Sequence, residues 1–533
     1  MSLSMSSLSF SVDGQDVEVP DDGASLLVVL RERLGLRTPK DGCSPQGQCG
    51  CCTVLVDGQP RVACVTPARR VRGRTVTTLD GLPEGVRAAW GEAFCASGAS
   101  QCGFCTPGIV VRLEGLRAKG AGPDDLAQVE QALLAHLCRC TGWRTILDAW
   151  TAAASTPPAT PVALPPPSRR DLAAAAERAA IEGGTAQSVA PAVALGHGGF
   201  ADDEAPADAL VAVPDDSGGW SVAETLVEAR AASGKVQGRR TTSSVVPPLD
   251  LPPGDWDVTL RTSWVEPAYL ETDASWCRPG GEPASPLANG GAFGGKTASI
   301  AATAARELAD RHGRPVRVLL SREDAVHLGP KRPPLAAGMN ADGTGLVRVA
   351  RTAGIAEAIA AGAPGLRVEE VDVAGPPTSS QLRAAGWAEA LVLLAAVQQR
   401  DRDEVEITSP AGASARARVT LGAEPRVEVW ARAGQVLDEV VLRSYCVGAA
   451  HMALGWVTSE GLAVDDGGRV HDLTVRSFGV LRAVDTPPID VVVEPGDGPP
   501  VSASDAVFAA VAAATWIAQG LPTDWPTGVA VRR

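Results

Sequence analysis

The sequence predicts a multidomain α+β protein, and three observations point there. At 533 residues the chain exceeds what one compact core usually holds, and roughly 100 to 200 residues per domain suggests about three domains. Positions 1–80 read as short strands around tight turns, and positions 81–150 read as helices. After a stretch rich in Pro, Ala and Thr, TAAASTPPATPVALPPP at 151–167, strand-like and Ala-rich helical runs alternate to the end. That stretch has no apolar period, so it reads as a semi-rigid extended linker. The expected units are 1–80, 81–150, a linker at 151–170 and a region at 171–533.

In chain order, residues 8–19 alternate apolar and polar about Asp13-Gly14, a hairpin signature. Ala24 to Leu34 has helical spacing and stops at Gly35. A loop from Asp41 to Cys52 leads into Thr53-Val54-Leu55-Val56, the turn Asp57-Gly58 and a return strand expected to end at Cys64. From Glu84 to Trp150 the pattern is helical, with Pro107 at a first-turn position and Pro123-Asp124-Asp125 opening another helix. Beyond the linker, Val316–Leu320, Val427–Ala431 and Val470–Val475 read as strands. Ala301–Asp310, Leu382–Gln399 and Asp505–Gln519 read as helices.

Charge and hydropathy narrow the function classes. A formal net charge of -14 without a long basic run argues against nucleic acid, which is bound through clustered Lys and Arg. No uninterrupted apolar stretch of about 18 residues is present, so no membrane insertion is expected. The start, MSLSMSSLSFSVDGQ, lacks a basic segment followed by an apolar one. A cytoplasmic location is therefore expected, where closely spaced cysteines serve as metal ligands or catalytic thiols more than as disulfides.

The chain has 12 cysteines, and they cluster. The first set, Cys43-x5-Cys49-x2-Cys52-x11-Cys64, is close to the C-x4-C-x2-C spacing of plant-type 2Fe-2S ferredoxins, with one extra residue in the first gap. Three thiolates from one Gly-containing loop and a fourth from the neighbouring strand can enclose two irons. Cys51 is then a spare thiol or an alternative to Cys52. The second set comes as Cys102-x2-Cys105 and Cys138-x-Cys140, the two pairs separated by a helical stretch. Alone it is also compatible with zinc, whereas two four-thiol sets side by side favour electron transfer. Cys95, Cys277 and Cys446 are isolated and read as small buried apolar residues.

The order of these motifs, a short ferredoxin-like segment, then QCGFCTPG at 101–108, then CRCTG at 138–142, resembles the iron-sulfur portion of the molybdenum hydroxylases, the xanthine dehydrogenase and aldehyde oxidase family. The resemblance implies a β-grasp unit with one 2Fe-2S cluster and a four-helix unit with the other. It also implies that Gln101 and Cys140 approach a molybdopterin. Electrons would run from molybdenum through the helical-unit cluster and the ferredoxin-like cluster to a flavin. No flavin-binding segment is evident between the linker and residue 200, so the acceptor is expected on another protein. Molybdenum-containing or flavoprotein subunits are the partners implied, in a hetero-oligomer.

Past the linker, the resemblance extends to a shortened version of the family's molybdenum subunit. Ala194 to Asp203, Tyr269-Leu270-Glu271, the loop GGAFGGK at Gly290–Lys296, Ser321 to Pro333, Ser444 to Glu460 and Arg476 to Pro488 carry it. It implies cofactor contacts at Gly290, Gly291, Phe293, Gly294 and Gly295. The region has about half the residues such a subunit needs. The family's general base is a Glu that takes a proton from a metal-bound water, yet no Glu follows Glu494. Asp505, in the corresponding stretch, reads as the N-cap of the following helix, and no catalytic residue is assigned.

Two other readings stand beside this one. Gly290-x4-Gly295-Lys296-Thr297 satisfies a phosphate-loop pattern, but 282–289 do not form the strand such a loop needs. His451 lies in an apolar helical run and reads as a packed core histidine. Three roles are thus open: an iron-sulfur subunit of a larger oxidoreductase, a self-contained hydroxylase of N-heterocycles or aldehydes, and an assembly partner with a non-catalytic second region.

Overall fold

The computed structural model describes residues 7–155, 170–234, 243–287 and 289–531. The chain opens with the expected hairpin, β1 (Ser7–Val12) and β2 (Gln15–Pro20). β3 (Thr53–Val56), β4 (Gln59–Val62) and β5 (Thr75–Thr77) complete a five-stranded sheet of order β2-β1-β5-β3-β4. Both hairpins turn on an Asp-Gly pair with positive φ, 50° and 80° at Asp13-Gly14 and 47° and 72° at Asp57-Gly58, the twist that suits two-residue connections. Asp13 also accepts hydrogen bonds from the Thr78 amide and hydroxyl, both at 2.7 Å, tying the first turn to the end of β5.

Two local expectations are corrected in this unit. The segment 24–34 is a short helix, Leu26–Val28, continued by a wide turn over Val29–Arg33. The return strand ends at Val62, and Cys64 sits in a 3-10 turn, Ala63–Val65. That turn brings the Cys64 amide to 3.4 Å from the Cys52 sulfur, which a continuing strand could not do.

Four helices follow: α1 (Glu84–Ser97), α2 (Thr106–Arg117), α3 (Leu126–Ala132) and α4 (Arg144–Ala154). Pro107 lies in the first turn of α2, where its missing N–H costs nothing. Trp90 of α1 and Trp150 of α4 pack with ring centroids 6.2 Å apart, both buried. α4 continues through Ala154, so the start of the expected linker is helical, and 156–169 lie outside the described residues.

Among the described residues, the second region holds three further sheets, of four, five and four strands. Among its helices are α5 (Leu172–Gly183), α6 (Ala301–His312), α7 (Trp387–Gln398), α8 (Glu439–Thr458) and α9 (Ser504–Ala518). α8 is the one described helix long and apolar enough to cross a membrane, and it is buried among α9, α5 and the sheet that carries Arg426–Arg432 and Ile489–Glu494. The strands at 316–319 and 426–432 and the helices at 301 and 504 appear as expected. The strand expected at 470–475 does not: Val470 makes only an isolated bridge to Val464. α7 starts at Trp387 rather than Leu382, because Ala384 and Gly386 adopt positive φ, 56° and 89°, which a helix cannot continue through.

The units share a core. Phe200, Trp264, Leu270, Val326 and Phe478 join the apolar cluster built by the N-terminal sheet and the four helices. Buried charges pin the same interface: Arg31 reaches Asp202 at 2.6 Å and Asp203 at 3.0 Å, and Lys40 pairs with Asp203.

Candidate iron-sulfur centres

The loop between the short wide turn and β3 delivers the first thiol set. Cys43, Cys49, Cys52 and Cys64 are all buried, and the Cys43 thiol adjoins those of Cys49 and Cys64, with Cys64 also beside Cys52. Backbone amides point at the sulfurs, Gln46 N at 3.2 Å from Cys43 and Cys64 N at 3.4 Å from Cys52. Hydrogen bonds from the Cys49 and Cys64 thiols hold Cys43 well below the ordinary thiol range. Cys51 is buried next to Cys49, its sulfur 3.8 Å from the Cys49 carbonyl.

The second set arrives from α2 and the turn before α4. Cys105 is the N-cap of α2, where the unpaired amides of the helix end favour an anion. Cys102 and Cys140 have sulfurs 3.7 Å apart, and Cys105 stands against Cys138. A tetrahedral metal bonding two sulfurs at about 2.3 Å would hold them about 3.8 Å apart. The Cys102–Cys140 separation suits one iron, Cys105 and Cys138 supply the second pair of thiols, and the all-thiolate donor set fits 2Fe-2S chemistry. The Cys138 thiol is drawn down to about 6, first by the Cys105 thiol, and Thr141 Oγ1 adds a contact at 3.0 Å. Of the eight cysteines expected as ligands, only Cys102 and Cys140 are half-buried; the rest are buried.

The two sets are wired through the backbone. Leu137, which precedes Cys138, donates its amide to the Cys49 carbonyl at 3.0 Å. The loop of the first set presses on α2 so closely that a Cβ on Gly108 would lie 2.3 Å from the Gly50 carbonyl. His136 sits in the same seam, with Nε2 3.1 Å from Thr53 Oγ1.

On the other side of the second set lies a cavity of about 50 Å³ lined by Gln101, Cys102, Arg139, Cys140, Glu271 and Lys296, among others. Five of the seven positions expected to face a cofactor meet there: Gln101, Cys140, Gly290, Gly291 and Phe293. Gly294 and Gly295 do not line it. A Cβ on Gly294 would fall 2.0 Å from the Gln381 carbonyl, and one on Gly295 2.9 Å from the Tyr269 ring. Sequence reasoning missed Gln187 and Tyr445, whose side chains bond each other at 2.7 Å on the cavity wall. Only their remote pairing reveals them. Glu271 bonds Lys296 at 2.7 Å, and burial raises its carboxyl to about 7. Pockets that hold drug-sized ligands run to about 300–1,000 Å³, so the cavity does not fit a pterin cofactor as it stands.

The remaining candidates resolve on contact. Lys296 is buried against Glu271 and the Pro286 carbonyl, and Thr297 Oγ1 bonds the Gly294 carbonyl. No described strand leads directly into the loop. The phosphate-loop reading therefore fails, because both side chains it needs are engaged within the chain. Asp505 is not an N-cap: it lies in the first turn of α9, 3.2 Å from Arg383 Nε, and Ala503 holds the cap position. His451 is a core residue, buried, with Nε2 3.1 Å from the Leu481 carbonyl. Cys277 and Cys446 are buried as expected, and Cys95 is half-buried.

Comparison with known proteins agrees with this geometry. Residues 10–74 match the 2Fe-2S iron-sulfur cluster binding domain, and residues 78–151 match a second 2Fe-2S binding domain. The nicotinate dehydrogenase small FeS subunit of Eubacterium barkeri is 39% identical over 126 residues, covering 24% of this chain and 79% of that protein. The xanthine dehydrogenase iron-sulfur-binding subunit of Escherichia coli is 39% identical over 128 residues, covering 24% of this chain and 79% of that protein. Over the whole length, the fold is similar to that of the aldehyde oxidoreductase from Desulfovibrio gigas, with a TM-score of 0.67, 16% identity and 99% of each chain covered. The chain is thus an oxidoreductase-type protein with two 2Fe-2S-binding domains, and it belongs to the molybdenum hydroxylase family of xanthine dehydrogenases and aldehyde oxidoreductases.

Proposed function

We propose that this protein is the iron-sulfur electron-transfer subunit of a molybdenum-hydroxylase-type oxidoreductase. It passes electrons from a molybdopterin site on a partner through the two clusters to a separate acceptor. The observation that carries the reading is the joined pair of thiol sets, one ending at the half-buried Cys102 and Cys140 and the other reached through the Leu137–Cys49 hydrogen bond. The ligands would be Cys43, Cys49, Cys52 and Cys64 for one cluster, and Cys102, Cys105, Cys138 and Cys140 for the other. The chain's part is to hold both clusters in a dry, rigid frame and to keep their separation fixed. Relatives named as the small FeS subunit of nicotinate dehydrogenase and the iron-sulfur-binding subunit of xanthine dehydrogenase support a partner-dependent role. The partners would be molybdenum-containing and flavoprotein subunits in a cytoplasmic hetero-oligomer.

A self-contained hydroxylase is the second reading, favoured by the full-length fold likeness to an aldehyde oxidoreductase. Against it stand the cavity of about 50 Å³ and the absence of any Glu after Glu494. Iron analysis with EPR of the dithionite-reduced full chain tests the first reading. About four irons and two distinct 2Fe-2S signals are expected, and turnover of an aldehyde or N-heterocycle by the purified chain alone would transfer support to the second.

A further inference from the structure

In a site that holds an anionic cofactor, glycines let the backbone approach the ligand, and a helix N-terminus offers amides to its anionic group. Here both features are occupied by the chain itself. The glycines of the GGAFGGK loop admit protein: a Cβ on Gly291 would meet the Gly183 carbonyl of α5 at 3.2 Å, and Gly294 and Gly295 abut Gln381 and Tyr269. The side-chain amide of Gln101 donates to the Cys140 carbonyl at 2.8 Å and Ser444 Oγ at 3.0 Å. Asn289, which opens the loop, donates to the Gln101 and Cys102 carbonyls at 3.2 and 3.1 Å and accepts from Ser188 N at 2.6 Å.

The N-terminus of α9 is filled in the same way. Glu182, at the end of α5, accepts from Ala503 N at 3.1 Å, Ser504 N at 2.9 Å and Ser502 Oγ at 3.1 Å. Arg178 bonds the same carboxylate at 3.1 Å, and neither side chain is exposed. Three donors and a guanidinium thus converge on one buried carboxylate, in the stretch that the family resemblance matches to the base-bearing loop.

We infer that the second region of this chain holds no pterin of its own: Glu182 plugs the anion-binding end of α9, the glycine loop packs on the chain's own backbone, and the region serves as a clamp on the Gln101–Cys140 side of the inner cluster. The clamp is direct. A Cβ on Gly448 of α8 would lie 1.8 Å from the Cys140 carbonyl, so α8 rests on the ligand turn itself.

The test uses the full chain produced in a cell that makes molybdopterin. Iron and molybdenum are measured by mass spectrometry, and pterin by fluorescence after oxidative release. Iron without molybdenum or pterin is the expected result, and one molybdenum with one pterin per chain would overturn the inference. Missing iron would instead sink the proposed function and the clamp's role at a cluster, and leave the absence of a pterin standing. The plug is tested separately by thermal melts in inorganic phosphate against chloride of equal ionic strength. Phosphate should not shift the wild-type midpoint, and a specific rise there would show an open anion site and overturn the plug. Glu182→Ala should gain a phosphate-dependent rise, because the α9 amides and the Ser502 hydroxyl lose their acceptor and Arg178 loses the carboxylate beside its carbonyl partners; a folded variant without that gain would count against the plug. If E182A does not fold, the wild-type melt and the metal analysis still decide.

Discussion

Glu460 grips the Arg139 guanidinium through two bonds of 2.6 Å, with both side chains buried and Arg139 set between Cys138 and Cys140. Removing one partner of such a pair strands a buried charge, at a cost of about 3–5 kcal/mol. Glu460→Ala should lower stability by about that amount. It should also broaden or abolish the EPR signal of the inner cluster before the outer one. Denaturant melts followed by EPR check both, and an unchanged inner signal at full stability would contradict the clamp.

Cys51 and Cys52 are neighbours with different expected fates. The Cys64 amide points at the Cys52 sulfur, whereas the Cys51 sulfur lies 3.8 Å from the Cys49 carbonyl and beside the Cys49 thiol. Cys51→Ser should retain about four irons per chain by the two-cluster assignment, while Cys52→Ser should lose the outer cluster's EPR signal and its share of iron. Equal losses in both variants would make Cys51 a ligand.

Gly108 should be intolerant of any side chain. A Cβ there would lie 2.3 Å from the Gly50 carbonyl, a backbone atom that cannot move without shifting the cluster loop. Gly108→Ala should cost about 1–3 kcal/mol as overpacking. It should also weaken the magnetic coupling between the two reduced clusters, measured as line splitting in EPR.

Acid should destabilise the fold through two histidines. Burial holds His136 and His451 down at about 3, below the ordinary value of about 6.5. Both are neutral in the folded and the unfolded chain above about pH 6.5, so neither affects stability there. Below that, the unfolded chain takes up protons the folded chain refuses, and stability falls as pH drops toward about 3. The two together should contribute about 2.7 kcal/mol per pH unit between roughly pH 6 and 4. His451→Gln should halve that contribution in urea melts run at stepped pH.

Much of the first unit was legible because its determinants are local. Asp13-Gly14 and Asp57-Gly58 specify their hairpins by themselves, and the cysteine spacings specify their own loops. The alternation of β4 extends to Cys64 in the sequence, but the turn that places its amide 3.4 Å from the Cys52 sulfur depends on a partner across the hairpin. In the second region the decisive partners are remote. Nothing near Asp505 reveals Arg383, and nothing near Ser504 reveals Glu182, so a local rule assigned to Asp505 the capping done from α5. Apolar periodicity at Leu382–Ala385 is compatible with a helix, and the positive φ of Ala384 and Gly386, which breaks it, has no local signal in the sequence.

The Glu182 contact also imposes an order on synthesis. Its partner Ala503 lies far along the chain, at a separation of 321 positions, whereas the two thiol sets are complete once Cys140 has been made. As the chain leaves the ribosome, the cysteine-bearing portion can therefore collapse and take up iron while α5 still lacks its counterpart. The late region closes last, over a centre already made, because long-range contacts form only after the intervening chain exists. A ribosome-bound chain truncated before α8, whose Val441 and Tyr445 pack on α5, should then already protect its cysteine-bearing portion from protease and leave α5 open to cleavage.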